Sequence, residues 1–300
     1  MLSCVPIWIL RQKAVPSSDA DYLQLIVSKL EVCKAYWPKF GQGEKVSFEE
    51  FQALYGGDQF YSWFGLDHPL MYAAHKAAGG ITSLYRQIGI GCEQLFRKVL
   101  QDHLELTPEQ ANWSYTIPVP GKKDRRLSLD GRIHFDDLKP PARTRVQAWL
   151  NTATRQMEMA PAISSALQGA VFEVRQGYKS KDSKRQNADI GNAGKALTKG
   201  YLPVVAVLST QIDNDVADRY RGAGWLLLTG TTSAAATHSV YAFCKNVVGY
   251  DLADFFERNR GTLKATVDEV LRALLSPETP PDLPANGDPD EIEAAEEIEE

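Results

Sequence analysis

The sequence lacks clustered metal-binding and redox residues. Its four cysteines (Cys4, Cys33, Cys92 and Cys244) are far apart, and no pair has the spacing of a zinc knuckle or a redox motif. The five histidines are equally dispersed, which argues against a zinc site of the usual spacing. We therefore expect buried thiols in a reducing cytoplasm.

Long apolar runs are also missing. No stretch approaches the roughly 20 apolar residues that a membrane helix needs, so we expect no membrane segment. The short apolar stretch at residues 1–10 has neither a charged start nor a small-residue cleavage site. We interpret it as a buried strand rather than a signal peptide.

Acidic residues outnumber basic ones overall, so the formal net charge is -5. The excess lies in residues 277–300, which contain ten acidic residues and no lysine or arginine. The rest of the chain has 33 basic and 28 acidic residues, and residues 119–199 have sixteen basic residues against eight acidic ones. The average thus hides a basic body and an acidic, proline-rich tail, which we expect to be disordered at least to Asp288.

Hydrophobic periodicity divides the chain into a helical part and a sheet-forming part. Helical spacing covers much of residues 1–110, with separate helices at about 68–78 and 92–106 and a capping box of Ser47 and Glu50. Alternating or continuously apolar segments then predict further elements. The strands are at 113–119, 127–135, 170–176, 202–208 and 225–228, and the helices between them are at 146–167, 184–198 and 212–221.

This order predicts an α/β fold in which helices flank a mixed central β-sheet. We expect a mostly helical N-terminal region (1–110), a sheet-containing core with C-terminal helices (111–276) and the acidic tail (277–300). A helical insertion at about 137–168 separates two strands of the core. An insertion of about 35 residues is typical of a functional element or of a second wall of a cleft.

Two acidic residues stand out on the predicted strands. Asp130 lies in mid-strand, where aspartate is disfavoured, and Glu173 lies between Phe172 and Val174, which face the core. Carboxylates from adjacent strands would form a hard oxygen site suited to Mg²⁺, and Glu93 on the preceding helix is a third candidate ligand. A cation there would orient an attacking water and offset charge on a phosphate. A solvated edge position for Asp130 and a surface position for Glu93 are the alternatives.

An Asp on one strand, a Glu-X-Lys-like segment on the next and a basic helix after it resemble the core of the PD-(D/E)XK nucleases. The resemblance extends from about residue 91 to residue 230. The segment GAVFEVRQGYKSKDSKRQNADI, followed by YLPVVAVLS, is most similar to type II restriction endonucleases. The resemblance implies a restriction-endonuclease-like core, Mg²⁺ held by Asp130 and Glu173, and hydrolysis of phosphodiester bonds in double-stranded DNA at a short site.

The sequence departs from this family at the lysine position, which holds Arg175. Because arginine stays protonated, it can clamp a phosphate but cannot act as a general base. Either Arg175 provides the electrostatic part of the lysine role, or Lys179 supplies the ammonium group after a bend at Gly177. We favour Arg175, since a continuing strand would place Lys179 about 20 Å from Glu173 at ~3.3 Å per residue.

Three groups of basic residues are candidate DNA contacts. They lie in the turn between the first two strands, in the insertion, and in the run that follows the Glu173 strand, and they could grip the backbone or read base edges. The groups are Lys122, Lys123, Arg125 and Arg126; Arg143, Arg145 and Arg155; and Lys179, Lys181, Lys184 and Arg185. For any single one of them, an ordinary solvated charge is the alternative.

These patterns together predict a cytoplasmic, Mg²⁺-dependent type II site-specific deoxyribonuclease that acts on duplex DNA. Palindromic cutting would favour a homodimer with two-fold symmetry. Two alternatives stay open. The first is another nuclease of this fold, acting in repair or in a mobile element, and the second is a DNA-binding protein that has lost catalysis, which the replacement of lysine by Arg175 allows. We expect the acidic tail either to compete weakly with DNA or to act only as a solubilising segment.

Overall fold

Helical periodicity gives way to strand periodicity near residue 112, and the elements follow that change. The computed structural model describes residues 17–40, 43–117, 125–177 and 193–281. The predicted strand at residues 1–10 lies outside these residues. The helices are α1 (Ser17–Glu31), α2 (Phe48–Gly57), α3 (Gln59–Trp63), α4 (Pro69–Leu104), α5 (Pro108–Ala111), α6 (Pro140–Gln156), α7 (Pro161–Ala166), α8 (Asn214–Gly222), α9 (Val240–Phe243) and α10 (Leu252–Leu275). The strands are β1 (Lys39–Phe40), β2 (Glu44–Lys45), β3 (Trp113–Ile117), β4 (Arg125–Leu129), β5 (Gly131–His134), β6 (Gly169–Arg175), β7 (Tyr201–Val207) and β8 (Leu226–Leu228).

A mixed four-stranded sheet with helices packed on it forms the second half of the chain, and this confirms the predicted α/β class. The strand order is β5-β6-β7-β8. Strand β5 runs antiparallel to β6, whereas β6, β7 and β8 run parallel. Parallel neighbours need a crossover connection, and helical residues 193–198 and helix α8 lie in the two crossovers.

Both faces of the sheet are covered. On one face, Phe172 of β6 packs against the rings of Phe96 in α4, Trp149 in α6 and Phe243 in α9. On the other face, Val205 of β7 belongs to a second core, built with residues of β3, 193–198 and α8. Burial on both sides is the reason that β7 is apolar throughout.

The segment predicted as one alternating strand at 127–135 is in fact two strands. Strand β4 pairs with β3 in an antiparallel hairpin, whereas β5 pairs with β6, and Asp130 lies at the break. Leu129 and Ile133 were predicted to face the same way, but they are buried in the two different cores. A period-two pattern cannot reveal such a break, because an apolar residue satisfies either face.

The two helices predicted at 68–78 and 92–106 are one helix of 36 residues, α4. Its glycines let neighbouring helices approach closely. A Cβ atom on Gly80 would lie 2.3 Å from the side chain of Leu274 in α10, and one on Gly91 would lie 3.2 Å from the Cα atom of Ile26 in α1. This packing outweighs the roughly 1 kcal/mol that each interior glycine costs a helix.

The predicted insertion at 137–168 contains α6 and α7 rather than a single helix at 146–167. Helix α6 covers the sheet, and the indole Nε1 of Trp149 donates a hydrogen bond to the backbone O of Ala236 (2.9 Å). Six residues of α6 are buried. The helix is therefore part of the main core, and a role of the insertion as a functional element or a second cleft wall stays a prediction.

Residues 39–72 form a small unit that we call the aromatic module. Its core consists of Phe40, Phe51 and Tyr72. The predicted capping box of Ser47 and Glu50 is confirmed at the start of α2, where each side chain binds the other residue's backbone N–H. Local sequence therefore determines where α2 begins.

The start of the acidic tail packs on this module. Pro280 is buried, the Oγ1 of Thr279 accepts a hydrogen bond from the backbone N of Phe48 (3.0 Å), and the carbonyl of Glu278 accepts one from Nζ of Lys76 (2.8 Å). Disorder from residue 277 was therefore the wrong prediction for residues 277–281, because the hydroxyl of Thr279 finds a partner on α2 and the carbonyl of Glu278 finds one on α4. Residues 282–300 lie outside the described part of the chain.

Candidate active site

The register of the sheet places the two predicted strand carboxylates side by side. Gly131 of β5 is the antiparallel partner of Phe172 in β6, so the next pair of positions along the strands is Asp130 and Glu173. Asp130 lies at the break between β4 and β5. Its Oδ2 accepts a hydrogen bond from the backbone N of Val174 (2.7 Å), which holds the carboxylate against β6.

Arg175 lies among three carboxylates. Its Nη2 pairs with Oε1 of Glu173, and its Nη1 lies 4.0 Å from Oδ2 of Asp130 and 3.7 Å from Oε1 of Glu93. Nη1 also donates to the carbonyl of Val174 (3.1 Å). The structure thus brings together Glu93, Asp130, Glu173 and Arg175, which we call the Arg175 cluster.

Helix α4 supplies the third carboxylate and a second arginine. Arg97 lies one turn after Glu93, its Nε donates to the backbone O of Asp130 (2.7 Å), and its Nη2 lies 3.8 Å from Oδ1 of the same residue. Sequence reasoning missed Arg97. The available signal was its spacing, because residues four apart on a helix lie on one face.

Burial beside the cluster changes the chemistry of a neighbouring thiol. Burial raises the pKa of Cys92, which precedes Glu93, to about 12, and the negative charge of Glu93 acts in the same direction. The Cys92 thiol is therefore neutral at physiological pH and is not a nucleophile.

The Arg175 cluster is poorly hydrated. Side-chain exposure is 8% for Glu173, 11% for Arg175, 17% for Asp130 and 23% for Glu93. Carboxylates with so little water repel one another and are stabilised by neighbouring cations. The cluster is therefore organised around positive charge, and any change of the central cation should have a large effect.

The donor atoms of the cluster fit Mg²⁺ in their chemistry, because all three acidic side chains offer hard carboxylate oxygens. Among the described residues, however, no three acidic, histidine or cysteine side chains are already arranged to hold a metal ion. The carboxylates of Glu93, Asp130 and Glu173 instead surround the guanidinium of Arg175. The positive charge at the centre of the three carboxylates is therefore the side chain of Arg175.

The predicted DNA contacts have different outcomes. Arg143 pairs with Asp136 through Nη1 (3.2 Å), whereas Arg145 donates through Nε to the backbone O of Val247 (3.0 Å) and serves to hold the chain after α9. Arg155 donates to the carbonyl of its own helix at Asn151 (3.0 Å). All three keep some exposed surface, with Arg143 half-buried and Arg145 and Arg155 exposed, so all three stay candidate DNA contacts.

The other predicted DNA contacts fall on segments whose side chains are outside the described structure. Arg125 and Arg126 lie on β4, but only their backbone is described. The remaining predicted residues, Lys122, Lys123, Lys179, Lys181, Lys184 and Arg185, lie outside the described residues altogether. Whether Lys179 contributes to the site therefore stays a prediction.

Two expectations from composition have outcomes as well. Cys33, Cys92 and Cys244 are buried free thiols, as predicted, whereas Cys4 lies outside the described residues. Among the described helices, none combines the length and the apolar character that crossing a membrane requires.

Comparison with protein-family models, with curated proteins and with solved structures finds no significant match for this chain. The functional argument therefore rests on the geometry of the Arg175 cluster and on the sheet that positions it.

Proposed function

We propose that the chain is a Mg²⁺-dependent endonuclease that cleaves double-stranded DNA, of the PD-(D/E)XK type and most like a type II restriction enzyme. One observation carries the proposal: carboxylates from two adjacent strands and from a flanking helix converge on one poorly hydrated cluster. Asp130 and Glu173 are the predicted pair, and Glu93 is the predicted third ligand.

The sheet supports the same proposal. The resemblance requires an Asp strand beside the Glu-X-Lys strand, and β5, which Asp130 directly precedes, is the neighbour of β6 with Glu173. It also requires an apolar strand after a helical connection, and β7 runs parallel to β6 in that position. Fold-level likeness of this kind supports a function only together with the site.

Each residue of the cluster has a distinct proposed role. Asp130, Glu173 and Glu93 would hold Mg²⁺, which when bound supplies a positive charge that activates water and stabilises the phosphate. Arg175 would bind a phosphate oxygen of the substrate, because its planar guanidinium presents paired donors. The hydrogen bond from Val174 N keeps Asp130 oriented toward β6.

Incubation of a sequenced plasmid with the protein in Mg²⁺ and in EDTA tests this proposal. We expect discrete fragments in Mg²⁺ only, and loss of cleavage in Asp130→Ala and in Glu173→Ala. Glu257→Gln, on an exposed pair with Arg260, is the control that should cut like the wild type. Cleavage by both alanine variants at the normal rate would disprove the assignment of the site.

Two related outcomes can be distinguished in the same assay. A smear in place of discrete bands would favour a nuclease for repair or for a mobile element. A two-fold dimer, expected for palindromic cutting, would appear as twice the monomer mass in light scattering during chromatography.

A second candidate function is a DNA-binding protein without catalysis. The observation that favours it is Arg175 itself, which already pairs with Glu173 and lies beside the other two carboxylates that would hold Mg²⁺. This candidate predicts that the protein shifts duplex DNA in a gel but yields no cleavage in Mg²⁺ or Mn²⁺. Cleavage that depends on Glu173 would exclude it.

A further inference from the structure

The guanidinium of Arg175 lies between the three carboxylates that are proposed to hold the metal ion. Its Nη1 lies within 4.0 Å of both Glu93 and Asp130, and its Nη2 pairs with Glu173. A divalent cation at the centre of the cluster would compete with the guanidinium for the same carboxylate oxygens, and the two positive charges would repel at close range in a poorly hydrated site.

We propose that Arg175 and a divalent cation are alternative occupants of the Arg175 cluster, so that the metal binds only when the arginine leaves. The inference rests on the proposed function, since it concerns the metal of that same site. It makes Arg175 a built-in competitor that lowers metal affinity in the free protein.

The position of Arg175 allows this exchange. It is the last residue of β6, and Gln176 and Gly177 follow outside the strand. Rotation of its side chain breaks none of the backbone pairing of β6 with β5 and β7. A phosphate of bound DNA is a suitable new partner for the released guanidinium, because paired N–H donors match phosphate oxygens. Substrate would therefore promote metal binding by removing the competitor.

The central experiment measures metal binding rather than cleavage. Isothermal titration of Mg²⁺ and of Ca²⁺ without DNA should show binding about ten-fold tighter or more in Arg175→Met than in the wild type, as expected if the arginine vacates the cluster in a tenth of molecules or fewer. Adding Glu173→Gln to Arg175→Met should remove this gain. Equal affinity in Arg175→Met and wild type would overturn the proposal.

Arg132→Met is the matched control. Arg132 lies on the neighbouring strand β5, is also largely buried, and pairs with Asp137 (3.0 Å) and with the carbonyl of Gln110 (2.9 Å) rather than with the cluster. Its removal should leave metal affinity unchanged. A gain in Arg132→Met equal to that in Arg175→Met would show a general charge effect and would contradict the exchange.

Thermal unfolding supplies a second readout. Without Arg175 the three carboxylates lose their central cation, so Arg175→Met should unfold at a lower temperature than the wild type and should recover most of the loss in Ca²⁺. The wild type should respond to Ca²⁺ much less. A destabilised Arg175→Met that folds but gains nothing from Ca²⁺ would contradict the proposal.

If Arg175→Met fails to fold even in Ca²⁺, Arg175→Lys tests the proposal in its place. An ammonium group lacks the planar fork of a guanidinium, so it should compete less well with the metal and give an intermediate metal affinity.

Failure of this inference differs from failure of the proposed function. A wild type that cuts DNA in Mg²⁺, together with an Arg175→Met variant that binds metal no more tightly, overturns the exchange and leaves the nuclease in place. A wild type that never cuts DNA, together with a tighter metal site in Arg175→Met, overturns the nuclease and supports the exchange.

Discussion

The central sheet and the aromatic module bury their side chains to very different extents. Strand β7 is buried along all seven residues, and the sheet is covered on both faces. The module has a core of three buried residues, and it exposes Phe60 (59%), Trp63 (75%) and Phe64 (68%). The sheet therefore has a large core of its own, whereas the module depends on its attachment to α4 and to residues 276–281.

This difference in burial indicates which part of the molecule holds the Arg175 cluster rigidly. The Arg175 cluster is built on β6 and α4, which belong to the large core, so its carboxylates are held by rigid elements. The module has a core of only three buried residues, so we expect it to open before the sheet does. The following substitutions test that comparison, from the largest expected effect to the smallest.

Phe172→Ala should give the largest loss of stability. Phe172 is fully buried and packs on the rings of Phe96, Trp149 and Phe243, so its truncation leaves a cavity that these rigid neighbours cannot fill. We expect a loss of about 3 to 5 kcal/mol in the free energy of unfolding, measured by urea titration. A loss below about 1 kcal/mol would mean that the sheet core is loosely packed.

Phe51→Ala should act locally on the aromatic module. Phe51 is one of three core residues there, and the module contributes little to the main core. We expect hydrogen exchange to become fast for the backbone amides of α2, with a smaller shift of the global urea midpoint than Phe172→Ala causes. An equal shift of the midpoint in both variants would show that the module and sheet unfold as one unit.

Lys76→Met tests the contact between the module and residues 276–281 through its pH dependence. Burial lowers the pKa of Lys76 below its ordinary value, and its Nζ binds the carbonyl of Glu278. The unfolded chain keeps the ammonium proton of Lys76 up to about pH 10.4. The folded protein therefore loses this proton at a lower pH than the unfolded chain does. The cost of burying the charge is constant below the folded pKa and is relieved as the pH rises through it.

The free energy of unfolding of the wild type, relative to Lys76→Met, should therefore increase with pH until about pH 10.4. Urea titrations of both proteins across the alkaline range measure this difference, in which the titration of other groups cancels. A difference that stays constant, or that falls with pH, would show that Lys76 is not desolvated in the folded protein.

Trp63→Ala should have the smallest effect. The side chain of Trp63 is 75% exposed, so its truncation removes little buried apolar area. We expect a change of less than about 0.5 kcal/mol in the free energy of unfolding. A larger loss would show that the exposed aromatic side chains of the module are part of a packed surface.

Much of the local structure was predictable from the residues. The capping box of Ser47 and Glu50 starts α2 as expected, because each partner is three residues from the other. The strand at β6 and the continuously apolar strand β7 were also predicted, since a strand buried on both faces needs no polar residue.

The errors arose where partners are distant in the chain. The glycines of α4 were no obstacle to one long helix, because α1 and α10 pack against them. The break at Asp130 depends on β4 pairing with β3 and β5 pairing with β6, which no local pattern shows. Residues 277–281 pack on the module because α2 binds the hydroxyl of Thr279 and α4 binds the carbonyl of Glu278.

The sequence by itself determined the chemistry available to the site. Asp130 and Glu173 were predictable as a pair, because both are acidic residues on strands expected to be neighbours. The tertiary structure alone decided what lies between them. It placed Arg175 in contact with Glu93, more than 80 residues earlier in the chain, and it brought Arg97 to the backbone of Asp130. The physical reason is that buried charges are stable only beside opposite charges, and folding chooses those partners by proximity in space rather than in sequence.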